Sequence, residues 1–341
     1  MSKSSQKQKK QKRSGLLSET LPLNPDDVLV LHCDGPVSIK GASGSDVLVK
    51  GTGDLAWHRD GRQIHAHCNG AINVAVPRDA RVQMHLDGPI KITGIDRGEI
   101  EILSANGPVN LKGGASLRIY EADGAVNISD IRGPVTIDMV DGPTTFNDIH
   151  GDITVVQADG PVTIQGCGGN VDATCDRDVF IALTGSQPQN IRLRVDGSVY
   201  LKMPETAYIT GTIAANGDIT VALDNQQMQA KNDVIELLPP TEGAGAILSL
   251  DIKANEDVYV GPNPPAPSMS MGFYTLGLGW LSALFGRRRS ASRTETPSPP
   301  AEQTESSSPN DTSTERKIIL RMVAEGKITA EEGERLMEAL E

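Results

Sequence analysis

Between residues 124 and 178 the apolar positions of this chain recur on a register of nine. Glycines stand at Gly124, Gly133, Gly142, Gly151, Gly160 and Gly169, and Asp178 takes the next place. The units between them read GAVNISDIR, GPVTIDMVD, GPTTFNDIH, GDITVVQAD and GPVTIQGCG. Apolar residues tend to follow the glycine by two, four and seven places, as Val135, Ile137 and Val140 do in one unit and Ile153, Val155 and Ala158 in another. Residues two apart on a strand share a face, so each unit predicts a short strand with one buried side, then a turn. The glycine admits a turn that a Cβ would hinder. Two units make a coil of about 18 residues, and coils of this kind stack as parallel strands about 4.8 Å apart.

The turns alternate in chemistry. Asp-Gly or Asn-Gly marks every second one: Asp87-Gly88, Asn106-Gly107, Asp123-Gly124, Asp141-Gly142 and Asp159-Gly160. Arg97-Gly98, Arg132-Gly133 and His150-Gly151 fall between them, so the two edges of the coil differ. The pattern extends outward through Asp34-Gly35, Asn69-Gly70, Asp196-Gly197 and Asn216-Gly217, with a longer loop expected from Trp57 to Gly61. Beyond Gly217 it decays into VIELL, AILSLDIK and DVYV, which read as closing strands. The expected fold is therefore all-β, a parallel β-solenoid over residues 27–260. That span accommodates roughly 13 coils and a stack of about 60 Å, whose end coils must be capped against edge-to-edge association.

These repeated (D/S)G(D/P)VxI units resemble a bacterial putative-adhesin β-strand-repeat family. The resemblance covers most of 27–260 and implies the repeat fold. It brings no transferable active site. The family's label implies a role at a surface.

The flanks differ in composition. Residues 1–26 carry Lys3, Lys7, Lys9, Lys10, Lys12 and Arg13 with no apolar stretch of a signal peptide after them, which predicts a solvated basic arm. The alternative is attachment of that arm to an anionic membrane or polymer. A cytoplasmic location is expected, at most peripheral at the inner face of the membrane. Residues 261–314 are rich in Pro, Ser and Thr and read as an extended, disordered linker. The apolar segment 271–289, MGFYTLGLGWLSALFGRRR, interrupts it. Phe273, Tyr274, Trp280, Leu281 and Phe285 are its membrane or partner contacts, followed by Arg287, Arg288 and Arg289. Three placements are open: a helix docked on the solenoid, a segment lying in the membrane interface with the arginines on anionic lipid, or a span.

Residues 315–341 predict a helical hairpin. Ile318, Ile319, Met322 and Val323 line its first helix, which Gly326 ends. Thr329 and Glu332 form a capping box, and Leu336, Met337 and Leu340 line the second helix. Two such helices bury too little surface to be stable alone, so these side chains are expected to oligomerise or dock. EGKITAEEGERLMEAL resembles the short bihelical SHOCT-like module of bacterial proteins. In envelope-stress proteins of Gram-positive bacteria a similar module joins the same β-repeat domain, usually at the opposite end. The resemblance implies a docking or oligomerising device and a link to envelope stress.

Charge and composition narrow the chemistry. The net charge is −12 and aromatic residues make up 3%, which excludes general nucleic-acid binding and a bulky core. The four cysteines form no CxxC pair. Cys33, Cys68 and Cys167 fall at inward positions and read as reduced core thiols. Two coils separate Cys33 from Cys68, roughly 9–10 Å, which is beyond disulfide reach. His32, His67 and His85 each stand two residues before Asp34, Asn69 or Asp87 and point outward. His67 and His85, read as one coil apart, are candidate ligands for a transition metal. A mixed solvent-facing column is the alternative, since Ser104, Glu121, Met139 and Gln157 follow at that place. The Asp/Asn column reads as turn-closing Asx side chains rather than calcium ligands, for which a GGxGxD loop is required. No cofactor is expected. The functional expectation is a non-enzymatic scaffold acting through a protein partner, self-association or an anionic membrane surface. One alternative is a self-polymerising, bactofilin-like cytoskeletal solenoid. Another is a polysaccharide-acting β-helix enzyme, which needs clustered carboxylates and aromatic platforms.

Overall fold

The computed structural model describes residues 17–183, 190–238 and 247–265. Those residues are all-β, with 25 strands in one hydrogen-bonded system. The nine-residue unit gives one strand and one turn, as its apolar spacing requires. Val135–Val140 and Thr144–Ile149 make the two faces of one coil, and each pairs in parallel with the strand one coil before and one coil after. Inward positions hold Val135, Ile137, Val140, Phe146 and Ile149, each at most 1% exposed, so both faces share one core.

The turn glycines have a different reason from the one expected. Gly124, Gly142 and Gly160 do not adopt left-handed φ. A Cβ on Gly142 would lie 2.4 Å from the Gly124 carbonyl oxygen, and one on Gly160 would lie 2.5 Å from Gly142. On the other edge, a Cβ on Gly151 or Gly169 would meet the backbone of Gly133 or Gly151 in the same way, and one on Gly133 would meet Ala115. At these glycines the coils are stacked so closely that a Cβ would strike the backbone of the coil before. Left-handed backbone occurs in another column: Gly94, Gly113, Asp130, Asp148 and Gly166, with φ of 73°, 86°, 57°, 53° and 72°. In these five coils it comes one residue before Ile95, Gly114, Ile131, Ile149 or Cys167 at the end of the second face, and it brings Ile131 and Ile149 into the core. Aspartate serves there because it tolerates this region better than most residues.

Spatial order departs from chain order at both ends. Val28–Cys33 lies between Gln63–Cys68 and Arg81–Leu86, and Val37–Ala42 lies between Ile72–Pro77 and Ile90–Thr93. The later coil, residues 63–77, is therefore the outermost. Antiparallel strands cover it: Leu55–Asp60 on Gln63–Cys68, Asp46–Gly51 on Ile72–Pro77, and Leu17–Pro22 on Asp46–Gly51. The other end repeats the device. Ile247–Ala254 and Val258–Gly261 insert beneath the long strand Tyr208–Leu223, which Gln226–Leu237 covers antiparallel. Eleven parallel coils result among the described residues, fewer than the expected number, because the capping strands consume the difference. Their stack is about 50 Å long at the parallel spacing. The predicted loop at Trp57 is instead a strand of a tight hairpin turning at Gly61, whose φ is 58°.

A polar clasp fixes the first cap. Asp27 is 4% exposed, and its carboxylate accepts from the Asn24 amide at 2.7 Å and the Arg59 guanidinium at 2.8 Å. Burial pushes that carboxyl up, but these donors together outweigh it and hold it below the ordinary range. Arg59 also donates to the Pro22 carbonyl at 2.6 Å, and Trp57 Nε1 donates to Glu19 at 3.0 Å, tying the hairpin to the first strand.

Candidate functional site

The coils at the first end gather the chain's least ordinary side chains. Alternation along Val28–Cys33 turns Leu31 and Cys33 inward and His32 outward. In-register pairing sets His32 beside His67 on one side and His85 on the other. The rings stack, with centroids 4.5 Å and 4.9 Å apart and planes within 9°. The capping hairpin extends the array by placing His58 opposite His65, 4.9 Å apart and again within 9°. His65 and His67 share one face of their strand. Five of the six histidines thus form one outward patch.

His67 and His85 are not neighbours as expected. His32 lies between them, so they are two strands apart, roughly 9.6 Å at the parallel spacing. His85 Nδ1 is 3.3 Å from the Ser104 hydroxyl, and His65 Nε2 is 3.2 Å from Gln63 Oε1. Burial lowers the His32 pKa first, followed by its neighbours His67, His85 and His65. Burial also lowers that of His65, aided by His58 and His67 and opposed by Asp60. Among the described residues no group of three or more His, Cys, Asp or Glu side chains converges as a metal cage.

Directly beneath the patch, Cys33 and Cys68 face each other in register, both buried. This corrects the expected two-coil separation: they sit on adjacent strands about 4.8 Å apart, within the Cα range that a disulfide spans. The two thiols share a hydrogen bond. It lowers Cys68 to about 7 against the opposing effect of burial, whereas it and burial raise Cys33. Replacing Cys33 by alanine removes the main cause of the Cys68 shift and leaves burial acting. The Cys68 midpoint then rises from about 7 past its ordinary value of 9.0. The 13Cβ shift of labelled cysteine followed against pH measures this, and an unmoved midpoint contradicts the coupling. Cys175 is also buried, which pushes it up to about 12. Cys167 is half-buried and donates to the Gly169 carbonyl at 3.3 Å.

The Asp/Asn column before the turn glycines makes side-chain bonds from coil to coil. One place after the turn position, Asp152 on one edge and Asp178 and Asp257 on the other accept from the Asn170, Ser198 and Asp218 amides of the next coil at 2.7, 2.9 and 2.8 Å. Asn106 donates to Asp87 at 3.0 Å and Asn255 to Asp196 at 2.8 Å. A shallow acidic groove follows this edge past Asp141, Asp159, Asp176 and Asp196.

The membrane-contact candidates Phe273, Tyr274, Trp280, Leu281, Phe285 and Arg287–Arg289 lie outside the described residues, as does the predicted hairpin with Ile318, Met322 and Leu340. Among the described residues no helix is long and apolar enough to cross a membrane. Sequence reasoning overlooked His58 and His65. The signal was present in Gly61-Arg62, a two-residue loop led by glycine between Asp60 and Gln63, which sets position 58 opposite 65.

Comparison with known proteins adds a C-terminal module to this solenoid. Residues 314–341 match the SHOCT-like domain, in agreement with the resemblance read from their sequence. No curated protein matches the chain. Two solved structures are similar to it. One is a putative adhesin from Bacteroides fragilis NCTC 9343, with 9% identity and a TM-score of 0.36, covering 73% of this chain and 98% of the other. The second is a putative cell adhesion protein from Clostridium sporogenes ATCC 15579, with 7% identity and a TM-score of 0.18, covering 72% of this chain and 99% of the other. Neither superposes closely enough to carry a function across.

Proposed function

We propose that the chain is a non-enzymatic interaction scaffold: a capped β-solenoid that presents a rigid acidic surface, joined through residues 261–314 to a SHOCT-like docking module. The observation that carries this reading is the joining of a stack closed at both ends by antiparallel strands to a module of the SHOCT-like kind. The hairpin residues Ile318, Ile319, Met322, Val323, Leu336, Met337 and Leu340 engage a protein partner or a second copy. Segment 271–289 holds the scaffold at an anionic membrane surface from the cytoplasmic side, where a link to envelope stress belongs.

The antiparallel caps favour this reading over the bactofilin-like alternative. Head-to-tail stacking needs open parallel edges, and here Leu55–Asp60, Leu17–Pro22 and Gln226–Leu237 stand in front of them.

Cell fractionation tests the proposal by comparing the full chain with a deletion of 271–289. The expected result is that the full chain pellets with membranes and the deletion is soluble. If both are soluble, the membrane part of the reading falls. Negative-stain microscopy of the purified chain should show discrete particles, and filaments would overturn the scaffold reading in favour of polymerisation.

A further inference from the structure

We propose that the histidine patch over the first coils is a surface site for a borderline transition-metal dication of the Ni(II), Cu(II) or Zn(II) class. Imidazole nitrogen is the donor these ions prefer among side chains that are neutral near physiological pH. The patch concentrates that donor: His32 has His67 and His85 as stacked neighbours, and His58 is stacked on His65. A second pair of contacts links the two groups, with His58 6.5 Å from His67 and His32 6.4 Å from His65.

The geometry sets what kind of site this is. Parallel rings 4.5 Å apart hold their nitrogens side by side rather than pointed at one centre. A metal bound at about 2.0–2.1 Å from each nitrogen needs the two donors to tilt together. That movement is local, because His58 and His67 are exposed and the core side chains point the other way. Two or three imidazoles then hold the ion and water completes its shell. The site is an open surface chelate, distinct from a buried structural cage. Its location follows from the strand interchange at this end, since chain order alone would have left His32 away from between the other two. Farther along the same column stand Ser104, Glu121, Met139 and Gln157, so the donors are confined to the capped end.

The test is calorimetric titration of Ni(II), and separately Zn(II), into the full reduced chain. The variants are His67→Gln, His58→Gln with His67→Gln, and His150→Gln. The first two alter exposed side chains, and circular dichroism checks that the fold is kept. The proposal expects saturable binding that the double variant weakens at least about tenfold, because even the loss of outer-shell support costs that much at metal sites. His150→Gln should bind as the parent does. Equal affinity in the parent and the double variant overturns the proposal, as does the absence of saturable binding. A Cys33→Ser/Cys68→Ser variant separates the thiol source. Loss of binding there, with the histidine variants unaffected, assigns the metal to the cysteines and also overturns the proposal. Imidazole 15N shifts supply an independent readout, expected to move at His32, His58, His65, His67 or His85 on saturation and not at His150.

Discussion

Phe146→Ala is expected to lower the stability of the solenoid by about 3–5 kcal/mol, the range for truncating a fully buried aromatic side chain. Phe146 is 0% exposed and heads the largest fully buried side chains. It stands in register between Ile128 and Ile164 of the adjoining coils. Neither neighbour can fill the space without leaving its own place in a parallel ladder, so the cavity persists. A solenoid coil contacts only its neighbours, and so the loss is concentrated at the middle of the stack. Equilibrium denaturation measures it. A lowered slope together with a lowered midpoint would show that the two halves unfold separately after the change. Ile137→Val, one methylene in the same coil, provides the scale and is expected to cost about 0.5–1.5 kcal/mol. A Phe146→Ala loss no greater than that would mean that the coil collapses around the gap and that packing here is looser than its burial indicates.

The middle of the stack was legible because one period governs both faces. Residues such as Val135, Ile137 and Phe146 fall inward by alternation alone, and the spacing of turns predicts which strands become neighbours. The ends were not legible by that rule. Identical parallel coils stack equally well in either order, so nothing in the period says that Val28–Cys33 must lie between Gln63–Cys68 and Arg81–Leu86. Converting sequence distance into coil number therefore misplaced Cys33 relative to Cys68, and His67 relative to His85. What settles the order is the cap. The hairpin through Gly61 and the Asp27–Arg59 clasp cover the coil of residues 63–77 and leave it outermost. The histidine patch was thus largely readable: the column and His65, two residues before His67, come from alternation, whereas its extension to His58 came from the hairpin. Recognition of the C-terminal module depended on a turn-and-cap motif independent of the solenoid, which is why residues 314–341 could be read without it.

Gly142→Val separates the two reasons for glycine in this repeat. If glycine were needed for its backbone freedom, the left-handed column would be the sensitive one. Asp130 and Asp148 already occupy that column at φ of 57° and 53°, so Gly166→Asn should be mild. The Cβ added there comes too close only to Asp148 Oδ1, at 2.8 Å, the far end of a side chain that can move aside, while the Asp148 backbone stays at ordinary contact distance. At Gly142 the obstacles are the Gly124 carbonyl at 2.4 Å and 2.5 Å and the Ala125 nitrogen at 2.8 Å, all backbone. Relief requires opening the ladder where the Val126 amide donates to the Pro143 carbonyl at 3.0 Å and the Asp141 amide to the Ala122 carbonyl at 3.0 Å. Gly142→Val is therefore expected to cost about 2–3 kcal/mol, at the upper part of the range for overpacking. Two coils show how the chain admits a side chain at this place. Pairing of Val162 with Val179 and of Val199 with Val258 puts Arg177 and Glu256 where glycine otherwise stands. Each is followed by an aspartate, Asp178 or Asp257, whose carboxylate accepts from the amide of the next turn at 2.9 or 2.8 Å. At Gly142 the following residue is Pro143, which offers no such acceptor. Gly142→Arg combined with Pro143→Asp should therefore recover part of the stability that Gly142→Arg alone loses. Denaturation midpoints of the two variants decide the matter: equal losses would mean that coil spacing alone, without the aspartate, determines where glycine is required.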